Sequence, residues 1–138
     1  MAPSGGIRWE HHAAADPANV GLMRTGVVQF AAAQGAGAGV QSDLALTVSE
    51  GLTNCVVHAF VAQPPGTMGL VAVALGGVLH ISIVDDGCGM KPRADSPGLG
   101  IGLVLIAQLA SGLEILQGPG GRGTEIRLAL AAPEMRTG

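Results

Sequence analysis

Residues 50–58 read E-G-L-T-N-C-V-V-H, and this stretch decides which fold the chain can adopt. On a helix with about 3.6 residues per turn, Glu50, Asn54 and His58 lie on one flank, four residues apart. Thr47 extends this polar strip by one turn. The opposite arc is apolar and consists of Leu44, Val48, Leu52, Cys55, Val56 and Ala59. Because a buried polar group without a partner costs about 1–3 kcal/mol, the strip is expected to face a buried polar ligand.

The composition indicates one domain with an aliphatic core. The chain has 138 residues, of which 48% are hydrophobic and 12% are charged, and it contains two Phe, one Trp and no Tyr. Valine, leucine, isoleucine and alanine must therefore fill the interior. A chain of this length has the usual size of one domain, so residues 1–138 are expected to form a single domain.

Charge and cysteine usage argue against several classes of protein. The formal net charge is −3, whereas a nucleic-acid surface needs a basic stripe, so no direct nucleic-acid partner is expected. Cys55 and Cys88 form no close pair, which argues against a zinc site or a disulfide framework. Both are expected to be reduced thiols, as is usual in the cytosol.

No membrane association is expected from the apolar segments. Residues 1–8 lack the apolar region of a secretory leader. The uncharged stretches 51–84 and 96–113 are interrupted by proline or glycine, so neither provides a clean apolar span of about 20 residues. We therefore predict a cytoplasmic protein.

Capping signals and apolar periodicity predict three helices. An Asp-Pro pair at residues 16–17 is an N-cap followed by proline at the first helical position, and this helix stops at Gly35. Ser42 or Asp43 is expected to cap the second helix, which carries the polar strip and ends before the Pro-Pro pair. The third helix, residues 101–109, is apolar on nearly every face and is expected to be buried.

Five short runs predict strands. The pair Gly76-Gly77 separates two β-branched runs and predicts a tight hairpin. The tail after Pro133 is expected to be loose. The predicted strands are residues 7–13, 70–75, 78–84, 113–116 and 124–131. Together the elements predict an α/β two-layer sandwich, in which a mixed, mainly antiparallel sheet carries helices on one face.

Three further segments have the residue types that a nucleotide site needs. Residues 85–89, D-D-G-C-G, follow a strand, where Asp85 can accept a hydrogen bond from an exocyclic amine and the glycines allow a flat ring to approach. Residues 98–102, G-L-G-I-G, open a helix, and the backbone N–H groups there favour an anion. Gly123-Thr124 adds a hydroxyl at the start of the last strand.

Each segment alone is weak evidence, but their order resembles that of the GHKL ATPase superfamily. Within it, the likeness is greatest to the anti-sigma-factor serine/threonine kinases, whose motif is E-x-x-T-N-A-x-x-H-A. Residues 50–59 stand here as E-G-L-T-N-C-V-V-H-A, with Cys55 in place of the family's alanine. The resemblance covers about residues 5–131 and implies the Bergerat ATP-binding fold, a histidine-kinase-like ATPase domain.

The resemblance implies a role for each matched position. Asn54 would bind Mg²⁺, Glu50 would be the general base, and Asp85 would hold the adenine amine. Residues 90–97 would form a lid over ATP. The further ATP contacts implied are Gly87, Gly89, Lys91, Arg93, Gly98, Leu99, Gly100, Ile101, Gly102 and Thr124.

The same resemblance implies a function. The implied function is that of a Mg-ATP-dependent serine/threonine protein kinase, which phosphorylates an anti-sigma-factor antagonist of the STAS type and sequesters a sigma factor. Relatives commonly pair as homodimers. Lys91 and Arg93 are the cations nearest to the glycine segment. If neither reaches the γ-phosphate, the alternative is a regulatory module that binds nucleotide or a partner without turnover. A third option is an interaction domain without nucleotide.

Overall fold

A computed structural model describes residues 5–62, 66–86, 107–117 and 123–135, and the side chains of all of these except residues 58–62. Within these ranges the elements are, in chain order, β1 (Ile7–Ala14), α1 (Pro17–Ala33), α2 (Ala38–Ala62), β2 (Thr67–Leu75), β3 (Val78–Asp85), β4 (Gly112–Gln117) and β5 (Thr124–Ala131). No described helix combines the length and the apolar character that a bilayer crossing requires.

The five strands form one sheet in the order β1-β2-β3-β5-β4, and all four pairings are antiparallel. Alternate residues of the strands share a core with the buried residues of both helices, whereas the other face of the sheet carries no described helix. In the register of the sheet, Asp85 lies between Met68 of β2 and Thr124 of β5. The predicted two-layer α/β sandwich with a mainly antiparallel sheet is confirmed.

Local sequence explains the position of α1. Asp16 is the N-cap, and its carboxylate accepts a hydrogen bond of 2.8 Å from the backbone N–H of Ala18. Pro17 occupies the first turn, where a missing N–H costs nothing. Gly35 has φ of 97° and ends the helix, as predicted. The helix buries Met23, Val27 and Ala31 against the sheet and α2.

The start of α2 differs from the prediction. The helix begins at Ala38, so Ser42 and Asp43 lie inside it and neither is its cap. The carboxylate of Glu134 instead accepts a hydrogen bond of 2.7 Å from the backbone N–H of Gly37, just before the first turn. The cap comes from the C-terminal end of the chain, which no local signal reveals.

The C-terminal segment is more ordered than predicted, up to residue 135. The side chain of Met135 is buried in the core, and its backbone N–H donates to the carbonyl of Ala132 at 3.0 Å. The N–H of Ala132 in turn donates to Gly77 at 2.8 Å. The prediction of a loose tail after Pro133 is therefore wrong for residues 134 and 135.

The other predicted elements are confirmed where the structure describes them. The hairpin between β2 and β3 turns at Gly76 and Gly77, both with positive φ, and both strands are slightly longer than predicted. Strand β5 has its predicted bounds. Of the predicted third helix, residues 107–109 are helical, but they are exposed or half-buried, so the prediction of a buried helix is wrong for them. Residues 101–106 lie outside the described residues, as do residues 87–100 and 118–122.

Close packing between α2 and β3 depends on one glycine. Gly51 lies in the middle of α2, and a Cβ atom built there would overlap the Cδ1 atom of Ile83. Ile83 is 1% exposed, so its side chain has little room to move. Glycine in a helix interior costs about 1 kcal/mol relative to alanine. Here the absence of a side chain at Gly51 allows the helix to lie directly on the strand.

We predict that Gly51→Ala lowers the free energy of unfolding by about 1–3 kcal/mol because of this overlap. Ile83→Val removes the overlapped atom, so the alanine should cost at least about 0.5 kcal/mol less when both changes are combined. Gly39→Ala is the control, since Gly39 is in the same helix with no atom within 4 Å, and it should be neutral or stabilising. Urea unfolding gives the free energy of unfolding of wild type and of each variant. Additive costs of the changes at positions 51 and 83 would contradict the proposed contact.

The cap from Glu134 predicts a pH dependence. The Gly37 N–H lowers the pKa of the Glu134 carboxyl below its ordinary 4.5. Its contribution to stability is therefore present above pH 4.5 and is lost as the pH falls through the lowered pKa. Glu134→Gln should lower Tm at neutral pH, and its deficit relative to wild type should shrink as the pH falls below 4.5. Thermal unfolding at several pH values measures this, and a deficit that does not vary with pH would count against an ionic cap.

Candidate functional site

Buried polar side chains mark one end of the layer between α2 and the sheet. Among the described residues, the buried polar side chains are Thr47, Asn54, Asp85 and Thr124. Three of these four are residues for which the sequence predicted a role in ligand binding. Asp85 is the last residue of β3, and Thr124, the first residue of β5, is its partner in the sheet register. Glu50, one turn before Asn54 on α2, is half-buried.

The thiol of Cys55 brings α2 into direct contact with Asp85. Gly51 packs on Ile83. Four residues along a helix and two residues along a strand both cover roughly 6 Å. Cys55, four residues after Gly51, therefore lies close to Asp85, two residues after Ile83. Burial raises the pKa of the Cys55 thiol, and the negative charge of the neighbouring Asp85 carboxylate raises that pKa further. Cys55 is thus a buried thiol close to the Asp85 carboxylate.

The amide of Asn54 is the polar group whose surroundings point most directly to a ligand. Its side chain is 6% exposed, and its Nδ2 atom has no hydrogen-bond partner within the described part of the chain. An unsatisfied buried amide costs about 1–3 kcal/mol, so a protein rarely keeps one without a use. Thr47 behaves differently, because its hydroxyl donates to the carbonyl of Leu44 at 3.2 Å. The predicted polar strip is thus satisfied within its own helix at Thr47 but not at Asn54.

The backbone around Asp85 is held on both sides. Gly123 has φ of 69°, and a Cβ atom there would overlap the carbonyl oxygen of Asp85. On the other side, the Asp86 carboxylate accepts hydrogen bonds of 2.8 Å from both the backbone N–H and the hydroxyl of Thr67. Asp86 is exposed, and its bonds to Thr67 shape the end of the strand. These contacts fix the direction in which the Asp85 side chain leaves β3.

Many of the predicted ligand contacts lie outside the described residues. They are Gly87, Gly89, Lys91, Arg93, Gly98, Leu99, Gly100, Ile101 and Gly102, together with the rest of the predicted lid. Cys88, predicted to be a reduced thiol, lies outside the described residues as well. The side chain of His58 is outside them too. Of the predicted site, the structure therefore describes the helix wall, the strand-end aspartate and the threonine of β5.

The sequence did not reveal the role of Cys55, and it gave no partner for the close packing that Gly51 permits. Cys55 belongs to the predicted apolar arc, so its contact with Asp85 was not anticipated. The sequence places Gly51 inside a helix, but the reason for a glycine at this position is the contact with Ile83, which only the structure reveals. The signal that links them is the spacing of four between Gly51 and Cys55, which places both on the face that meets β3.

A cavity lined by described residues lies elsewhere. It has a volume of about 210 Å³ and opens on the outer face of the sheet, with His80, Ser82, Glu114 and Arg127 among its lining residues. None of the predicted site residues lines it. Pockets for nucleotide-sized ligands usually have volumes of about 300–1,000 Å³, so this cavity is a poor candidate for such a ligand.

Known proteins share both the sequence pattern and the fold. The histidine kinase-like ATPase domain family matches residues 13–130. Anti-sigma F factors of Caldanaerobacter subterraneus subsp. tengcongensis and a Thermoanaerobacter species are 29% and 28% identical to the chain over 121 residues. Each alignment covers 80% of this chain and 83% of the relative.

Two other relatives are much longer than the chain. Blue-light-activated histidine kinase 2 of Erythrobacter litoralis is 33% identical over 98 residues, which cover 68% of this chain but 28% of that kinase. The crystal structure of the RsbU and RsbW domains of a Mycobacterium tuberculosis protein matches with a TM-score of 0.70 at 21% identity. That match covers 95% of this chain and 35% of the other, and at this identity it shows a shared fold alone.

Gly123 provides a test of how Asp85 is positioned. An alanine in the left-handed region costs about 1–2 kcal/mol, and at Gly123 the overlap with the Asp85 carbonyl adds to that cost. Gly76→Ala is the matched control, because Gly76 also has positive φ, 61°, but no atom within 4 Å of the added Cβ. Chemical unfolding should show the larger loss for Gly123→Ala. Equal losses for the two variants would mean that the contact with Asp85 is not tight.

Proposed function

Because the chain belongs to the histidine kinase-like ATPase domain family, we propose that it binds Mg-ATP between α2 and the ends of β3 and β5, and transfers the γ-phosphoryl group to a serine or threonine of a partner protein. The observation that carries this proposal is the buried Asn54 amide, unsatisfied among the described residues, next to the Cys55–Asp85 contact. An arrangement of this kind suits a polar ligand at the junction of the helix and the sheet.

The base of the nucleotide would lie at the strand ends. A carboxylate only accepts hydrogen bonds, so Asp85 can pair with the exocyclic amine of adenine, whereas the O6 of guanine offers it no donor. Thr124 is the register partner of Asp85 and places a hydroxyl beside it. The Gly123 backbone approaches the Asp85 carbonyl closely, which helps to hold Asp85 in place at the strand end.

Asn54 fits the role of a magnesium ligand. Mg²⁺ prefers oxygen ligands and takes one or two from the protein, and a carboxamide supplies such an oxygen. The Oδ1 atom of the buried amide would bind the metal, and the Nδ2 atom, a donor without a partner among the described residues, would be free to donate to a phosphate oxygen. When bound, the metal would neutralise charge on the triphosphate. Glycines 98, 100 and 102 would supply backbone N–H groups to the phosphates, as the sequence predicts.

Glu50 would serve as the general base. It lies one turn from Asn54 on the same flank of α2 and is half-buried, so its carboxylate is within reach of the same ligand. The attacking hydroxyl oxygen forms a bond to the γ-phosphorus as the bond from that phosphorus to the β-phosphate oxygen breaks. The hydroxyl proton passes to Glu50, and ADP leaves. Positioning and charge neutralisation supply most of the rate in such transfers.

The biological role that we propose is regulation of a sigma factor. Both anti-sigma F factors match over 83% of their own length, so the likeness extends across most of those proteins. We propose that the chain sequesters a sigma factor and phosphorylates a STAS-type antagonist in the cytoplasm. A homodimer is the assembly that the family resemblance implies.

A second candidate, nucleotide or partner binding without turnover, is favoured by the positions of the cations. Among the described residues the cationic side chains are Arg8, Arg24 and Arg127, and they bind Glu10, Ser49 and Glu125, respectively. Charge compensation at a γ-phosphate would therefore depend on cations outside the described residues, of which Lys91 and Arg93 are nearest in sequence to the glycine segment. ATP affinity without transfer to any antagonist would favour this candidate.

The kinase proposal predicts different defects for two variants. Asn54→Ala should abolish the thermal stabilisation by Mg-ATP and the transfer of labelled phosphate to a STAS-type antagonist. Glu50→Gln should still bind Mg-ATP but lose transfer by about 100-fold or more, the usual contribution of a general base. Leu46→Ala is the control, since Leu46 is exposed on the same helix. Undiminished transfer by Asn54→Ala would contradict the metal role, and undiminished transfer by Glu50→Gln would contradict the base role.

A further inference from the structure

The cavity on the outer face of the sheet plays no part in the proposed function. In the sheet register, Gly112 of β4 lies beside Ala129 of β5, and Ala129 lies beside His80 of β3. Because glycine and alanine have little or no side chain, they leave a space of about 210 Å³ among larger neighbours. The lining also includes Val71, Val73, Ser82, Glu114 and Arg127.

Three polar side chains of this cavity have no polar partner within the part of the chain that the structure describes. His80 and Ser82 are half-buried and Glu114 is exposed, and none of the three makes a hydrogen bond or an ion pair with a described residue. Arg127 differs, because its Nε atom donates to the Glu125 carboxylate at 2.7 Å. The cavity therefore offers acceptors to a ligand, whereas its cation is already engaged.

The charges around the cavity do not balance. Arg127 lies directly opposite Glu114 in the register of β4 and β5, where opposite charges usually attract each other. It instead pairs with Glu125, two residues away on its own strand, and the two side chains are only 29% and 13% exposed. Among the described lining residues, the negative charge of Glu114 is therefore left uncompensated, and this surplus favours a cation.

The apolar part of the lining lies across the sheet from Glu114. Val71 and Val73 belong to β2, and three strand spacings of about 4.8 Å separate β2 from β4. A glutamate side chain, one hydrogen bond and a short alkyl chain together cover about this width. The two valines are 8% and 2% exposed and form an apolar wall. A ligand that fits the cavity thus has a charged end and a short apolar body.

We propose that the outer-face cavity binds a small organic cation, namely a primary amine in its ammonium form with a short apolar body. An ammonium group has three N–H donors and no acceptor, and it would donate to the Glu114 carboxylate. The alkyl body would lie over Gly112 and Ala129 against the valine wall. The Ser82 hydroxyl and the His80 ring add acceptors along the same path.

This site is separate from the proposed nucleotide site. Neither Asn54 nor Asp85 nor Thr124 lines the cavity. Thr124 and Arg127 are three residues apart on β5, so their side chains point to opposite faces of the sheet. The inference therefore does not rest on kinase activity, and each proposal can fail without the other.

Pentylammonium is the probe, and pentan-1-ol is its neutral counterpart of nearly the same size. In NMR titrations of the full chain, pentylammonium should shift the amide signals of residues 112, 114 and 129 in a saturable way. We expect a Kd of about 1 mM, an ordinary affinity for so few atoms. Pentan-1-ol should bind at least about tenfold more weakly, because it cannot make the charge-assisted hydrogen bond to Glu114.

Three variants and one control test the parts of the site. Glu114→Gln should weaken pentylammonium binding about tenfold and leave pentan-1-ol binding within about twofold. Glu10→Gln is the matched control, because Glu10 lies opposite Val71 on β1, outside the cavity, and its loss changes the net charge equally. Gly112→Val should abolish binding of both probes by filling the cavity, since a Cβ atom there meets no atom within 4 Å. Ala129→Val is a second filling variant if the first destabilises the fold.

Several outcomes would overturn the proposal. They are the absence of saturable shifts at residues 112, 114 and 129, equal affinities of wild type for the two probes, and pentylammonium binding that Glu114→Gln leaves unchanged. Undiminished binding by both filling variants would overturn it as well, because the probes would then bind elsewhere. None of these results bears on nucleotide binding, which a titration of the same protein with Mg-ATP tests separately.

Discussion

The direct contact between α2 and β3 is the constraint on which the rest of the structure depends. It exists because Gly51 has no side chain where Ile83 lies. From that contact the next turn of the helix places Cys55 on Asp85 and sets Asn54 beside them at the end of the sheet. A bulkier residue at position 51 would lift the helix, and the polar groups of the helix and of the strand would separate.

The buried polar groups are concentrated rather than scattered. The aliphatic core supplies the stability, with residues such as Met23, Leu44, Leu70 and Ile81 fully or almost fully buried. At one end of that core, Asn54, Asp85 and Thr124 interrupt it. Burying polar groups opposes folding unless they are paired. Their concentration at the junction of α2, β3 and β5 is the arrangement expected of a binding site that its ligand completes.

Much of the fold could be predicted because its signals are local. The Asp-Pro start of α1, the Gly-Gly hairpin and the alternation of β5 depend on neighbouring residues, and the structure confirms them. The start of α2 was missed because its cap is Glu134, 97 positions from Gly37. In the site, the motif order identified Asn54 and Asp85, but the contact between Cys55 and Asp85 depends on helix-to-sheet packing. No periodicity within one element encodes that contact.

The bond from Glu134 to Gly37 has a consequence for how the chain folds. It joins the far end of the sequence to the helix that carries Glu50 and Asn54, over a separation of 97 residues. Contacts that close so large a loop form late, since the entropy of the intervening chain must first be lost. We therefore expect the Glu134 cap to form only after β5 has joined the sheet, whereas the part of α2 that carries Glu50 and Asn54 is held by its own backbone bonds and does not wait for that cap.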